Sequence, residues 1–497
     1  VTAHRVGSAA PTARLARAPI AVVLLGVAVL LLATSARWGY HRDELYFRAA
    51  GYHPAWGYPD QGPLTPLVAR AADQLGGGSL VVFRLPGLLC VLVLALVSAL
   101  IARELGGRTV AQVLTALVVG LGGFPLAVGH ILVTATIDVL VWVTVLWLVV
   151  RIVRTGQERL WLLVGAIAGL GLLNKALPEV LLLAVVVSLA LVPGTRRLLR
   201  SRWLWLGLLV AAVMWVPYLL WQAGHGWPQL TFSRQISNEY SALGERIGFV
   251  VEQLGMYGLV GAFLWIVGVR RLLRDRSPYR VLVWVWLIGL VVFVVTAGQG
   301  YYTAGTYPPL IAAGAVALER RLRRPWIAYV VTVLVAAVMA PAFIPLTSPA
   351  TVADSPVWSG LGENQLETVG WPQLVDQVAG AYRSLPADAR ARTAILTDNY
   401  GEAGAVDRFG PERGLPRAYS GMNGYGLWGP PPESATTVVG VFQGRPPAPL
   451  RDCRRYADVP DHDGVANEES TEAAIYLCRA PAQGWARSWP AFRYLAS

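Results

Sequence analysis

The chain has 497 residues, of which 55% are hydrophobic and 14% charged, and it carries a net charge of +12. A soluble domain is about a quarter charged, so a wholly soluble protein is excluded, and the apolar residues fall in blocks of about twenty, the length that crosses a bilayer core. The positive charge does not imply nucleic acid, because the arginines cluster in short loops between apolar blocks, as topology determinants do.

In chain order the blocks predict spans at 19–35, 80–102, 109–125, 131–150, 160–174, 177–193, 203–222, 248–269, 281–297, 303–318 and 326–346. The expected fold class is therefore an α-helical polytopic membrane protein of about eleven transmembrane helices. The first block follows Arg5, Arg14 and Arg17, as a signal peptide would. No small-x-small cleavage site ends it cleanly, and it is read as a retained helix. Alternate loops carry Arg103 and Arg108; Arg151, Arg154 and Arg159; Arg196, Arg197, Arg200 and Arg202; Arg270, Arg271, Arg274, Arg276 and Arg280; and Arg320, Arg321, Arg323 and Arg324. The positive-inside bias places these loops and the N-terminus in the cytoplasm and, with an odd count, the C-terminus outside. Segments 36–79 and 223–247 lie on the outer side and are too long for turns, so interfacial helices are expected there.

After about residue 346, Pro, Gly, Asp and Arg become more frequent and no spanning block recurs. Residues 1–346 are read as a membrane catalytic domain that includes the first outer loop, 36–79. Residues 347–497 are read as a soluble extracytoplasmic α/β domain. A helix is expected at 371–385, with Trp371, Leu374, Val375 and Val378 on one face, and buried strands at 393–397, 436–442 and 473–477. Cys453 and Cys478 both fall in this domain; in an oxidising compartment they form a disulfide, and otherwise they are two buried thiols. Cys90, inside a span, is expected only to pack.

Asp43 and Glu44 follow the first span in His41-Arg42-Asp43-Glu44-Leu45-Tyr46-Phe47. A carboxylate at the membrane boundary can act as a general base, although interfacial acids are also often merely solvated. Asp138 borders the fourth span, eight residues after His130. An acid there marks a cavity or caps its helix. Lys175 is the single Lys among 42 basic residues. It sits between two spans on the outer side, where a compact ammonium suits a phosphate at headgroup depth. Tyr301 and Tyr302 are either aromatic-belt residues or phosphate- and sugar-binding hydroxyls. No Walker loop is present, and the spacings of His41, His53 and His130 match no standard metal pattern.

Together these segments resemble the family 39 and family 83 glycosyltransferases, the protein O-mannosyltransferases and lipid A aminoarabinose transferases of GT-C architecture. The resemblance is carried by Asp43-Glu44-Leu45-Tyr46-Phe47, by Trp56 to Pro66, by Asp138, Asn174-Lys175 and Tyr301-Tyr302 in order, and by Asp398-Asn399-Tyr400-Gly401-Glu402-Ala403-Gly404 and Tyr419-Ser420-Gly421 in the tail. It implies inverting transfer of a sugar from a polyprenyl-phosphate donor to the hydroxyl of an envelope glycan, lipid or protein at the outer face of the plasma membrane, with no nucleic-acid partner. In that scheme Asp43 is the base and Glu44 orients or hydrogen-bonds. Lys175 holds the donor phosphate with Arg84, Tyr301 or Tyr302 as helpers, and Tyr58, Asp60, Gln61, His130 and Asp138 shape the pocket or bind the acceptor. Some members bind a divalent cation near the acidic loop. Where the lipid A enzymes have Glu-Lys-Pro, this chain has Asp60-Gln61-Gly62, which removes a second phosphate-binding lysine. The alternative is a transporter or lipid flippase; a structural envelope protein is a third reading. The inverted repeats common in transporters are not visible in the sequence.

Overall fold

The computed structural model describes residues 12–275 and 277–496; Arg5 and Arg276 lie outside them. The chain opens with α1 (Arg17–Thr34), and the long first loop folds into two short helices, α2 (Arg42–Tyr52) and α3 (Leu64–Gly76). Then come α4 (Leu80–Glu104), α5 (Thr109–Gly120), α6 (Gly123–His130), α7 (Thr134–Thr155), α8 (Trp161–Leu172), α9 (Pro178–Leu191) and α10 (Arg202–Gly224). The second long loop supplies α11 (Pro228–Glu239) and α12 (Leu243–Gly255), followed by α13 (Gly258–Arg274), α14 (Val281–Val295), α15 (Tyr307–Glu319) and α16 (Pro325–Met339).

All eleven predicted spans are helical, but they are not all complete crossings. Among the described residues six stretches are long and apolar enough to cross unbroken, and three more spans count if each bent pair is taken as one. The pairs are α5 with α6, bent by 57°; α9 with the turn Pro193–Arg200, by 119°; and α12 with α13, by 91°. The breaks fall at Gly122, at Pro193 and at Gly258, which has a positive φ of 67°. Such residues interrupt a helical ladder at least cost. The two remaining spans are α8 and α15, with only 12 and 13 residues. Each is shortened where the backbone unwinds, at 173–177 and in the 3-10 turn Gly300–Thr306. Irregular backbone at membrane depth is tolerated only where it lines a cavity or is buried in protein, and these two segments carry Lys175 and Tyr301.

The C-terminal part begins with α17 (Pro349–Ala353), α18 (Ser359–Leu366), α19 (Trp371–Arg383) and α20 (Ala387–Arg390). Strand β1 (Thr393–Thr397) leads through α21 (Tyr400–Phe409) to β2 (Ala418–Ser420), and β3 (Thr437–Gln443), β4 (Arg451–Asp458) and β5 (Ala473–Arg479) complete a five-stranded sheet of order β2-β1-β3-β5-β4. Strands β2, β1 and β3 are parallel; β5 runs antiparallel to β3, and β4 to β5. Every residue of β1 is buried, as expected of a central strand covered on both faces. The Cys453–Cys478 disulfide forms, joining β4 to β5.

The sheet does not hang as a separate bead. Its inward residues Ile395, Val439 and Ile475 belong to one core with Trp371 and Val375 of α19, Ala403 of α21, Leu45 of α2 and Leu31 of α1. The opposite face, Leu396, Val438 and Phe442, packs on Trp485 and Trp489. A contact layer shared by α1, α2 and the sheet fixes the C-terminal unit against the first loop, and this sets the geometry of the site.

Candidate functional site

The first turn of α2 is braced from several sides. A capping box opens it: the Asp43 N–H donates to His41 Nδ1 at 3.1 Å, and the His41 N–H donates to Glu44 Oε2 at 2.9 Å. His41 is buried, and burial pulls its imidazole below its ordinary pKa; the accepting Nδ1 fixes the neutral tautomer with its proton on Nε2. Arg42 Nε, on the next residue, reaches Glu367 Oε2 at 3.0 Å and ties α2 to the end of α18.

Glu44 points away from the chamber. It is fully buried, its two oxygens accept from Arg84 Nε at 2.9 Å and Arg84 Nη2 at 2.7 Å, and Oε1 also accepts from the Leu132 N–H at 3.0 Å. Arg84 spends its other donors on Ser35 O at 2.8 Å, Gly39 O at 2.6 Å and His130 Nε2 at 3.1 Å. A guanidinium with every arm engaged inside protein has none left for a ligand phosphate. This corrects the expectation that Arg84 helps hold a donor phosphate: Glu44, Arg84 and His130 form a buried brace joining α1, α2, α4 and the α6–α7 junction.

Asp43, half-buried, turns the other way. It lines a cavity of about 540 Å³ whose walls also hold Asp60, Gln61, Lys175, Tyr301, Tyr302 and Tyr400. Asp43 and Lys175, distant in sequence, therefore face one chamber. Lys175 Nζ donates to the Tyr301 hydroxyl at 3.2 Å and lies 4.6 Å from the centre of the Tyr302 ring. Two π faces and one hydroxyl hold the ammonium without neutralising it. The turn bearing the tyrosines is pinned by Gln253, whose Oε1 accepts from Thr303 Oγ1 at 2.5 Å and from the Tyr307 hydroxyl at 2.7 Å.

The loop after α2 is sewn to the loop after α8. The Gly62 N–H donates to Asn174 O at 3.1 Å, the Leu64 N–H to Leu173 O at 3.0 Å, and Thr65 Oγ1 to Asn174 Oδ1 at 2.5 Å. A Cβ on Gly62 would lie 2.0 Å from Leu173 O, so only glycine permits this approach. The seam places Asp60 and Gln61 beside Lys175. Gln61 is buried at 2% exposure, lines the cavity, and has neither its amide nitrogen nor its oxygen hydrogen-bonded within the protein. Buried amides are normally satisfied, so this donor and acceptor are open to whatever occupies the cavity, water or ligand.

Asp60 accepts from the Tyr46 hydroxyl at 2.9 Å. Burial raises its carboxyl from 3.8 to about 7; nearby Asp43 pushes the same way, and the Tyr46 hydrogen bond and Lys175 oppose it. A raised carboxyl pKa means that the folded chain holds a proton the unfolded chain has released, so stability falls as pH rises from about 4 to about 7. Asp60→Asn keeps an acceptor for Tyr46 and removes the charge. The variant is expected to melt a few degrees above wild type at pH 8, with the gap closing toward pH 4, as followed by circular dichroism in detergent. A gap independent of pH would refute the raised carboxyl.

Two more predicted pocket residues stand behind the walls. The Tyr58 hydroxyl donates to Ala50 O at 2.8 Å and His53 O at 3.0 Å and closes the loop. Asp138 is buried within α7, which begins without a side-chain cap, so capping is not its role. Sequence reading gave no role to Tyr46 or Tyr400, although the His-x-x-Glu and Asn-x-x-Glu capping patterns ahead of α2 and α21 mark both helix starts. No group of three or more His, Cys, Asp or Glu side chains converges to hold a metal ion among the described residues. The acids nearest Asp43 are committed to tyrosine and arginine, so the donor set does not fit a divalent cation.

Residues 60–221 match the family described as dolichyl-phosphate-mannose-protein mannosyltransferase, a stretch that includes Asp60, Asp138 and Lys175. The ArnT of Cupriavidus metallidurans superposes with a TM-score of 0.61 in its apo state, covering 92% of this chain and 97% of its own, at 16% identity. The chain therefore has the ArnT-like GT-C fold. The same ArnT bound to undecaprenyl phosphate gives equal figures. At this identity the likeness to both GT-C structures is one of fold. The Archaeoglobus fulgidus oligosaccharyltransferase overlaps more loosely, with a TM-score of 0.48 and 13% identity over 79% of this chain and 63% of its own, too little to argue from. No curated protein sequence matches the chain.

Proposed function

We propose that the chain is an inverting glycosyltransferase that moves a sugar from a polyprenyl-phosphate donor to an acceptor hydroxyl at the outer face of the plasma membrane. The observation that carries the reading is the single chamber faced by both Asp43 and Lys175. The acceptor oxygen attacks the anomeric carbon as the bond from that carbon to the phosphate oxygen breaks. The acceptor proton passes to Asp43, and the negative charge left on polyprenyl phosphate meets Lys175 Nζ and the Tyr301 hydroxyl. Gln61 supplies one donor and one acceptor to a polyol. The undecaprenyl phosphate found in the ArnT relative supports the lipid carrier.

The arginine bias supports a cytoplasmic N-terminus, with residues 1–346 as the membrane catalytic domain and 347–497 as an extracytoplasmic domain. The GT-C fold gives no support to the transporter or flippase reading. Purified protein in vesicles, given radiolabelled polyprenyl-phosphate hexose and an envelope extract, is expected to release label from lipid to a water-soluble or new lipid product of inverted anomeric configuration. Label that only crosses the bilayer, still on its carrier, would overturn the proposal. Mass spectrometry of envelope glycans from cells lacking the gene identifies the acceptor.

Lys175→Met keeps the length of the side chain and removes its charge. It is expected to lower kcat/KM for the donor lipid roughly 100-fold, the scale on which loss of a transition-state donor acts. Lys175→Arg should restore little, because the slot between Tyr301 and Tyr302 fits a point charge and not a planar fork. Initial rates at sub-saturating donor check both, and unaltered rates in Lys175→Met would remove the phosphate role.

A further inference from the structure

Tyr400 opens α21 and lies 357 positions along the chain from Asp43. Its hydroxyl nevertheless donates to Asp43 Oδ1 at 2.8 Å, and its ring centre is 4.7 Å from that of Tyr46. Tyr46, which donates to Asp60, accepts in turn from the Gly424 N–H at 3.2 Å. Each chamber carboxylate of the first loop is thus held by one tyrosine, and the C-terminal unit supplies either that tyrosine or its anchor.

The approach is specified residue by residue. Like α2, α21 begins with a capping box: Asn399 Oδ1 accepts from the Glu402 N–H at 2.8 Å, and the Asn399 N–H donates to Glu402 Oε2 at 3.1 Å. Two glycines let the helices touch. A Cβ on Gly401 would lie 2.8 Å from Arg42 Cβ, and one on Gly404 would lie 2.8 Å from Leu45 Cβ and 3.0 Å from Leu45 O. Gly401 meeting Arg42 and Gly404 meeting Leu45 means that α2 and α21 run in the same direction with their first turns level. That register is what brings the Tyr400 hydroxyl to Asp43.

We propose that Tyr400 is a positioning residue for sugar transfer, so that the C-terminal unit completes the catalytic apparatus. The inference rests on the reading of Asp43 as the base. With Oδ1 engaged, the carboxylate cannot rotate freely, and Oδ2 is left to receive the acceptor proton; fixing such a group in its reactive geometry is a recognised source of rate. Tyr400 is itself buried, and burial holds its hydroxyl well above the ordinary tyrosine pKa, so it remains a donor at working pH.

The test uses the full-length protein in detergent or vesicles. Tyr400→Phe keeps the ring, its tilted contact with Tyr46 and the glycine contacts, and removes only the donor. The expected result is a fall in kcat of about 10-fold or more with KM for the donor lipid little changed. Rates are referred to the fraction of protein that binds a fluorescent polyprenyl phosphate, so partial unfolding cannot imitate the loss. Tyr382→Phe removes a hydroxyl bonded to Arg390 O at 3.2 Å, away from the chamber, and should alter neither constant. Wild-type kcat in Tyr400→Phe, or a change confined to KM, overturns the positioning role while leaving the transferase reading intact if Asp43→Asn is inactive. Full activity in Asp43→Asn overturns both.

Discussion

Asp43→Asn is expected to lower transfer about 1,000-fold at neutral pH while the protein folds, binds donor lipid and melts as wild type does; general-base catalysis commonly supplies a factor of this size. The substitution is nearly isosteric. Its Oδ1 still accepts from Tyr400, and the Asp43 N–H that caps on His41 Nδ1 is untouched. What disappears is the capacity to take a proton. Because Lys175 and its two tyrosines remain in place, ground-state capture of the phosphate should persist, so the loss appears in kcat and not in KM. Steady-state rates with radiolabelled donor, alongside donor binding by fluorescence, separate the two constants. A variant retaining more than a tenth of wild-type kcat would show that the acceptor proton leaves by another route and that Asp43 serves the site in some other way.

What the sequence disclosed and what it hid follow from the range of the interactions involved. The spans were legible because bilayer thickness imposes a period that each block carries within itself. Lys175 stood out by composition alone, as one lysine among arginines, and the structure places it on the chamber wall. The unwinding after α8 was not legible, since 160–174 is apolar almost throughout, whereas that before α15 left a trace in Thr303-Ala304-Gly305-Thr306-Tyr307-Pro308-Pro309. Glu44 and Arg84 were each singled out, but as site groups, since nothing local announces that residues 40 apart in sequence satisfy one another. Strand β4 escaped because it is an edge strand, Arg-rich and exposed throughout nearly its whole length. Charge on an edge guards against aggregation and erases the apolar alternation by which strands are recognised. Tyr400 lies in the Asp398–Gly404 motif, but its task is not legible there, because its partner lies at the other end of the chain.

The buried brace leads to a second large effect, on stability and not on turnover. Glu44→Ala leaves the Arg84 guanidinium without its counter-ion in a site where Arg84 is 1% exposed and Glu44 0%. Breaking one side of such a pair costs about 3–5 kcal/mol, because the surviving charge stays desolvated. The same change strips an acceptor from the His41 and Leu132 N–H groups, opening the cap of α2 and the α6–α7 junction together. Glu44→Ala and Arg84→Met are therefore expected to reduce recovery of folded protein from membranes and to lower the melting temperature steeply. The double variant Glu44→Ala/Arg84→Met should lose less than the sum of the single changes, since no lone charge remains. It should not recover fully, because Ser35 O and Gly39 O also lose their donor. Thermal melts of detergent-purified variants measure the coupling. Glu44→Gln discriminates most sharply between the two roles: if it melts like wild type yet transfers no sugar, Glu44 takes part in the chemistry and the brace is not its function. If it melts low while its folded fraction turns over normally, Glu44 serves the stability of the brace and takes no part in the chemistry.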